Sequence, residues 1–242
     1  MSIDFDRRRF IEASGIAAAG VIATAAVSQP GAAAPATPAS GRSTVPYQIK
    51  PMPFDPSHIK GMSEKILISH YENNYAGAVK RLNAIDTELA SLDWPAAPTF
   101  LINGLKREQL VATNSMILHE HFFNALGGGG RPEGTLADAI AHDFGSFERW
   151  SAEFSAMGKA EGGGSGWVIL TYSPRDKRLV NAWAADHTTT LAAGRPVLVL
   201  DMYEHAYHMD FGAKAAGYVD AYMQIVRWDN AAKLYESYSS EA

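Results

Sequence analysis

The sequence VLVLDMYEHAYHMDFG, residues 197–212, contains the features that decide the fold. Its first four residues are aliphatic, as in a buried strand, and they run directly into Asp201. Glu204, His205 and His208 follow within a few positions. A carboxylate at the end of an apolar strand is costly to bury unless a partner neutralises it. The rest of the chain therefore has to supply partners for Asp201 and for the two imidazoles.

Composition limits the class of protein. The chain has 242 residues, of which 47% are hydrophobic and 10% aromatic, enough to form a folded core. It has no cysteine, which excludes disulfide frameworks, thiolate metal sites, iron–sulfur clusters and cysteine nucleophiles. Any metal ion would be bound by His, Asp or Glu, and those ligands suit iron, manganese, zinc or copper.

The charge distribution argues against nucleic acid as a partner. The formal net charge is −5, and no stretch beyond the N-terminus collects several Lys and Arg residues. Anionic partners would have to be attracted locally.

The first 45 residues resemble a bacterial export signal followed by a low-complexity spacer. Arg7, Arg8 and Arg9 precede a modestly apolar stretch over residues 15–27, and an Ala/Pro/Ser-rich tail follows. The alternative, a membrane anchor, requires about 20 apolar residues. We expect periplasmic localisation by the twin-arginine route and no stable membrane anchor after signal removal. That route carries folded proteins, often with a metal inserted, which favours a metalloprotein.

Two helices are predicted in the first half of the folded region. Apolar residues recur at steps of three and four over residues 63–91, which predicts a long amphipathic helix. A second helix is predicted over residues 106–126 and is ended by four glycines at 127–130. Two helices with a short connection form an antiparallel hairpin, which we assign to a domain of residues 46–130.

Residues 131–242 are assigned to an α/β C-terminal domain. Two helical segments separated near Gly145 are predicted within residues 135–160, and a last helix over residues 215–235. Three strands are predicted between them: SGWVILTYS (165–173), RLVNAWAAD (178–186) and PVLVLDMY (196–203). The predicted fold class is α+β, with an N-terminal antiparallel helical hairpin followed by a small three-stranded antiparallel sheet flanked by helices.

Four residues are candidate metal ligands. His70 and His119 each lie within a predicted helix among apolar neighbours, where a single histidine is more often structural than ligating. His121 lies two positions after His119 and faces another way on a helix, and the spacing is not that of an H-E-x-x-H zinc site. Asp201 and His205 are stronger candidates, because a strand end and its loop can present both to one ion. A cation held by all four would neutralise the buried carboxylate.

Three stretches resemble the iron/manganese superoxide dismutase family, and the resemblance extends from Tyr47 to the C-terminus. They are GSFERWSAEF (145–154), GGGSGWVIL (162–170) and DMYEHAYHMDF (201–211). The resemblance implies one iron or manganese ion per chain, bound by His70, His119, Asp201 and His205. It implies superoxide as the substrate, with no separate organic cofactor.

The same resemblance implies roles for three further residues. Trp167 matches an aromatic wall of the pocket. His187 falls where family members place a Gln or His that hydrogen-bonds the metal-bound solvent; the alternative is a histidine in a surface turn. Glu204 matches a residue that reaches the metal-binding histidine of the other subunit, which implies a homodimer.

The sequence departs from the family pattern around the entrance to the site. Asn74 and Ala78 stand where the family usually carries a His and a Tyr that guard substrate entry and relay protons. Tyr203 replaces the usual Trp between the last two ligands, and His208 stands where a Tyr is common. We therefore expect superoxide dismutase activity with slower turnover than is usual for the family.

Three functions remain open at the level of the sequence. The first is an Fe/Mn-type superoxide dismutase. The second is a metal-binding, superoxide-dismutase-like protein with a remodelled pocket and little dismutase activity. The third is a metal-free periplasmic interaction protein. His187, together with Ser115 where many iron forms have a Gln, favours iron slightly over manganese.

Overall fold

The computed structural model describes residues 45–241, which fold as helices around a three-stranded sheet. This architecture confirms the predicted α+β fold class. The predicted export signal and nearly all of the predicted spacer lie outside the described residues. No helix within the described range is long and apolar enough to cross a membrane.

The first predicted helix is present as three consecutive segments. Helix α1 spans Glu64–Ser69, a π-helical turn spans His70–Tyr75, and α2 spans Ala76–Ser91. Ser63 caps α1, because its side-chain oxygen accepts a hydrogen bond from the backbone N–H of Ile66. The π turn is wider than an α-helical turn, so the period of 3.6 residues does not hold across it.

Helix α3 spans Thr99–Asn124 and packs against α2 as the second arm of the hairpin. The pairs Tyr75–Glu120 and Arg81–Glu108 connect the arms in opposite chain order, so the arms are antiparallel as predicted. Helix α3 begins before the predicted start at residue 106. Its first turn carries apolar side chains on an exposed face, so the pattern of apolar residues there did not indicate a buried stripe.

The break predicted near Gly145 separates two helices. Helix α4 spans Gly134–Phe144, and α5 spans Phe147–Glu161. Gly145 has a φ of +88°, a left-handed conformation that ends α4 and that glycine adopts at little cost. Ser146 then starts α5, since its side chain accepts a hydrogen bond from the backbone N–H of Arg149.

The sheet places the start of one strand beside the end of another. Strands β1 (Trp167–Ser173), β2 (Arg178–Ala184) and β3 (Arg195–Asp201) are antiparallel in the order β2-β1-β3. The register pairs Trp167 of β1 with Asp201 of β3. Two predicted site residues are therefore neighbours across the sheet.

A 3-10 turn at Glu204–Ala206 and a short helix, α6 (His208–Phe211), connect β3 to the C-terminal helices. Buried apolar side chains from the hairpin, the sheet and the later helices form one hydrophobic cluster. The predicted division into domains of residues 46–130 and 131–242 stays a prediction.

The prediction of a single last helix was wrong. Helix α7 spans Ala215–Gln224 and α8 spans Trp228–Ser240. Between them Val226 forms a β-bridge with Leu126, and the backbone N–H of Arg227 donates to the carbonyl oxygen of Ala125. These contacts with the end of the hairpin replace helical hydrogen bonds, a tertiary effect that local periodicity does not reveal.

Candidate metal centre

Four elements of the fold bring His70, His119, Asp201 and His205 together. His70 opens the π turn, His119 lies near the end of α3, Asp201 ends β3, and His205 lies in the 3-10 turn that follows. The ligand atoms that these residues offer all lie within 4.8 Å of one another. The grouping contains the four residues that the sequence singled out.

Asp201 lies at the centre of the group. Its Oδ2 atom is 3.1 Å from Nε2 of His70, 3.6 Å from Nε2 of His119 and 3.2 Å from Nε2 of His205. Asp201, His70 and His119 are buried, whereas 26% of the His205 side chain is exposed. The site therefore opens towards solvent on the His205 side.

Two buried imidazole nitrogens lie near the Asp201 carboxylate but make no well-formed hydrogen bond to it or to any other group among residues 45–241. They are Nε2 of His70 and Nε2 of His119. A buried polar atom without a partner is unfavourable, and native proteins pair nearly all such atoms. The Nδ1 atom of His119 lies 2.6 Å from the carbonyl oxygen of Ser115, so it carries the ring proton and leaves Nε2 as a lone pair.

The electrostatics keep the group in the state that binds a cation. Burial lowers the pKa of His70 and lowers the pKa of His119 to about 3, so both rings are neutral at physiological pH. Burial opposes ionisation of Asp201, but the neighbouring His205 and His70 outweigh it and hold the pKa of this carboxyl below its usual range. Three imidazoles and one carboxylate fit iron or manganese, and the unpartnered nitrogens are accounted for if they bind such an ion.

His187 and Trp167 are placed against this group. The indole N–H of Trp167 donates to Nδ1 of His187 over 3.0 Å, and the Trp167 ring meets the His119 ring edge-on at 5.1 Å. The side-chain amide of Asn114 donates to the carbonyl oxygen of His187. His187 lies in a turn after β2, and its ring contacts Trp167 at the wall of the site.

Phenyl rings cover the His70 side of the site. The rings of Phe122 and Phe123 lie 4.9 Å and 5.1 Å from the His70 ring. Asn74 is half-buried and Ala78 is buried in the helical stretch that also carries His70. The imidazole and phenol expected there from the family pattern are replaced by a smaller amide and a methyl group.

Sequence reasoning missed the polar contacts that hold two ligand-bearing segments together. Asp210 accepts hydrogen bonds from the backbone N–H and the hydroxyl of Ser63, over 2.6 Å and 2.7 Å. This contact joins the segment after His205 to the cap of the helix that leads to His70. The only available signal was that Asp210 ends the polar stretch after β3, and that signal named no partner.

Glu161 is a second residue that the sequence did not single out. It is 5% exposed, and neither of its carboxylate oxygens has a hydrogen-bond partner within the described part of the chain. Burial, with a smaller contribution from the Asp201 charge, raises the pKa of Glu161 to about 8.

Comparisons with known proteins agree with the geometry of the site. The family described as "Iron/manganese superoxide dismutases, C-terminal domain" matches residues 132–234. The chain is 67% identical over 189 residues to "Superoxide dismutase [Fe]" of Cupriavidus metallidurans, covering 78% of this chain and 96% of that protein. It is 34% identical over 194 residues to "Superoxide dismutase [Mn] 2" of Haloferax volcanii, again covering 78% of this chain and 96% of that protein. This chain therefore belongs to the iron/manganese superoxide dismutase family.

Proposed function

We propose that this chain is a superoxide dismutase that converts superoxide to dioxygen and hydrogen peroxide at one iron or manganese ion. The observation that carries the proposal is the convergence of His70, His119, Asp201 and His205. It includes two buried imidazole nitrogens that no group among residues 45–241 satisfies. The ion, when bound, supplies one-electron chemistry, oxidising one superoxide in its trivalent form and reducing a second in its divalent form.

The protein's own residues set the charge and the proton supply of this centre. Asp201 contributes one negative charge in a fully buried position, which lowers the net charge around a bound cation. The Trp167 indole N–H donates to Nδ1 of His187, so the neutral His187 ring carries its proton on Nε2. His187 is therefore the group placed to donate a proton when peroxide is formed.

Iron is the preferred ion in this proposal. The 67% identical relative from Cupriavidus metallidurans is named as an iron enzyme, and that similarity supports iron. The more distant relative from Haloferax volcanii is named as a manganese enzyme, so the family ligand set does not by itself select the metal.

A second candidate function is a metal-binding protein with little dismutase activity. Asn74 and Ala78 favour it, because they lack the ionisable groups that the family pattern has at the entrance. A kcat within twofold of that of a dismutase with His and Tyr at those positions, from neutral to alkaline pH, would contradict both this candidate and the expected slow turnover.

Export and dimer formation are parts of the same proposal. Arg7, Arg8 and Arg9 support the twin-arginine route to the periplasm, and replacing Arg7 and Arg8 by Lys should retain the full-length chain in the cytoplasm. Glu204 is exposed beside the half-buried His205, which supports a homodimer through Glu204. Analytical ultracentrifugation of Glu204→Ala should show a shift towards monomer.

The proposed activity is tested by metal analysis and superoxide consumption on the same preparation. The native chain should contain about one iron or manganese ion and should consume superoxide. His119→Ala should lose both metal and activity, whereas His121→Ala, two positions along the same helix and outside the group, should keep the metal. Native protein that binds the metal without consuming superoxide would contradict the proposed reaction.

A further inference from the structure

A tyrosine ring contacts both the expected proton donor and one of the metal-binding histidines. The Tyr203 ring stacks on His187 with centroids 4.6 Å apart and an interplanar angle of 16°. The Tyr203 ring also stacks on His205, with centroids 5.3 Å apart and an interplanar angle of 17°. His205 in turn stacks on His119, at 5.6 Å and 22°. His187 and His119 are also neighbours, with centroids 6.2 Å apart and an interplanar angle of 48°. The four rings therefore form a closed cluster in which Tyr203 stacks on both His187 and His205.

Tyr203 is itself fixed to the centre. Its backbone N–H donates to Oδ1 of Asp201 over 2.9 Å, while Oδ2 of Asp201 faces the histidines. The edge of its ring contacts Trp167 at 5.9 Å and 60°. The position of Tyr203 therefore follows the position of the carboxylate that would bind the ion.

His187 is less constrained by the fold, because it lies in the connection between β2 and β3. One hydrogen bond holds its carbonyl oxygen to Asn114, and one holds its Nδ1 atom to the Trp167 indole. Its backbone N–H also lies beside the Tyr203 hydroxyl. These contacts fix the backbone and one ring atom, but the plane of the ring can still tilt about the hydrogen bond at Nδ1. Stacking on a flat neighbour removes that rotation, and Tyr203 is that neighbour.

We propose that Tyr203 is a positioning residue that fixes the plane of the His187 ring, and with it the direction of the Nε2–H bond, relative to the metal-binding histidines. The inference rests on the proposed function, since it assigns to Tyr203 the orientation of that function's proton donor. Nothing in this role requires the phenol hydroxyl to react. The role depends on the stacking of the Tyr203 ring on the His187 ring.

The first test is a double-mutant cycle with azide, a small anion, as the probe. Azide affinity is measured by visible absorption of the iron-loaded enzyme for the native chain, Tyr203→Leu, His187→Ala and the double variant. Tyr203→Leu should weaken azide binding roughly 2- to 10-fold, the range expected for one ring contact. In the His187→Ala background the same change should have no further effect. An equal loss in both backgrounds, or no loss in either, would overturn the proposal.

Tyr203→Phe separates the ring from the hydroxyl. It keeps the face that stacks on His187 and should bind azide within about twofold of the native chain. A loss as large as that of Tyr203→Leu would show that the hydroxyl, and not the ring, is responsible, and would overturn the proposal.

A second measurement needs no metal and no activity. Hydrogen exchange of the Trp167 indole N–H, followed by NMR in the metal-free chain, reports on its bond to Nδ1 of His187. Exchange should accelerate in Tyr203→Leu and stay at the native rate in Tyr203→Phe. The indole N–H of Trp150, which donates to Asn181, is the internal control and should not change unless the whole chain is destabilised.

The two measurements separate the proposals from each other. Native enzyme without dismutase activity would refute the proposed reaction, yet Trp167 exchange would still report whether Tyr203 holds His187. Unchanged Trp167 exchange in Tyr203→Leu would refute the positioning role even in a fully active dismutase.

Discussion

At the level of single residues, the environment of Glu161 conflicts with its chemistry. Its carboxylate is buried against the backbone of Gly166, where a Cβ atom would lie only 2.2 Å from Oε1. The two oxygens have no hydrogen-bond partner among the described residues, so the charged form is strongly disfavoured. The pKa of about 8 means that Glu161 is mostly protonated at neutral pH.

Glu161→Gln is therefore expected to stabilise the protein at alkaline pH. In the unfolded chain Glu161 has the ordinary pKa of a glutamate, whereas in the folded chain its pKa is about 8. The unfolding free energy therefore falls as the pH rises from the first pKa to the second. The fall approaches about 1.4 kcal/mol per pH unit within that window and stops above pH 8. Glutamine does not titrate and should remove this fall.

Urea unfolding at pH 5, 6.5 and 8 measures the difference. Glu88→Gln, which changes an exposed glutamate on α2, is the matched control and should track the native chain at all three pH values. If the advantage of Glu161→Gln were constant with pH, the carboxyl would not be titrating in the folded state as stated.

The candidate site shows what single residues reveal in a sequence. Asp201 and His205 could be identified because a polar pair directly after four aliphatic residues is unusual. Glu161 could not, because a glutamate before a run of glycines has many ordinary explanations and its burial results from the fold. The contact of His187 with Trp167 and Tyr203 likewise depends on a loop conformation that no local pattern indicates.

Among the elements, the cap of α1 connects the helix that leads to His70 with the segment that follows His205. Ser63 Oγ accepts from Ile66 N–H and donates to Asp210, so two segments share one capping group. Asp210→Ala should lower the unfolding free energy by about 1 kcal/mol, the usual net contribution of a hydrogen bond, because Ser63 loses its acceptor. It should also weaken metal binding, because α1 leads directly to His70. Calorimetry and metal titration measure both effects.

Asp220→Ala is the comparison for that change. Asp220 forms an exposed ion pair with Lys159 and caps no helix, and such surface pairs contribute little. Similar losses of stability for Asp210→Ala and Asp220→Ala would show that the contact with Ser63 is not specifically stabilising.

Two helical glycines should respond to alanine in opposite directions. A Cβ at Gly158 in α5 would lie 2.8 Å from Cδ2 of Leu200 and 3.1 Å from Cγ2 of Val219, so Gly158→Ala should destabilise by about 1–3 kcal/mol. A Cβ at Gly104 in α3 would meet nothing within 4 Å, so Gly104→Ala should stabilise by about 1 kcal/mol. Thermal unfolding of the pair checks both signs. A stabilising Gly158→Ala would mean that α5 leaves room for a methyl group beside Leu200 and Val219.

The break between α4 and α5 was indicated by Gly145 itself. Strands β1 and β3 are buried along most of their length and were indicated by short apolar runs between turn residues. The hairpin helices were predicted from a third signal, one face buried at a regular period, and most of both helices meets that condition. The π turn at His70–Tyr75 does not, because a period of 3.6 places Asn74 one turn after His70 whereas the wider turn changes which side chains share a face. The break between α7 and α8 was missed because it depends on contacts with residues about 100 positions earlier.

At the scale of the whole molecule, the candidate ion would join the hairpin to the end of the sheet. Removing the metal should lower the melting temperature, because an ion that binds only the folded state stabilises it by about 2.7 kcal/mol at a free concentration 100 times its Kd. For a chain of this size that corresponds to roughly 5–10 °C. Differential scanning calorimetry with and without a chelator measures the shift.

His119→Ala is the control for metal-dependent stability. Without one of the four donor groups, its melting temperature should not depend on added iron or manganese. A native chain whose melting temperature is unaffected by chelation would indicate that the group binds no ion tightly.

The spacing of the four residues along the chain affects which metal ion the protein binds. His70 and His119 come from separate helices, and Asp201 comes from a strand that lies much later in the sequence. The complete donor set therefore exists only after long-range contacts have formed. An unfolded chain offers at most the local Asp201–His205 pair, which is a poor chelator. Metal identity is therefore decided in the compartment where the chain folds, by the ions available there. For a chain that folds before it is exported, the cytoplasmic metal pool, and not that of the destination, would determine which ion the enzyme carries.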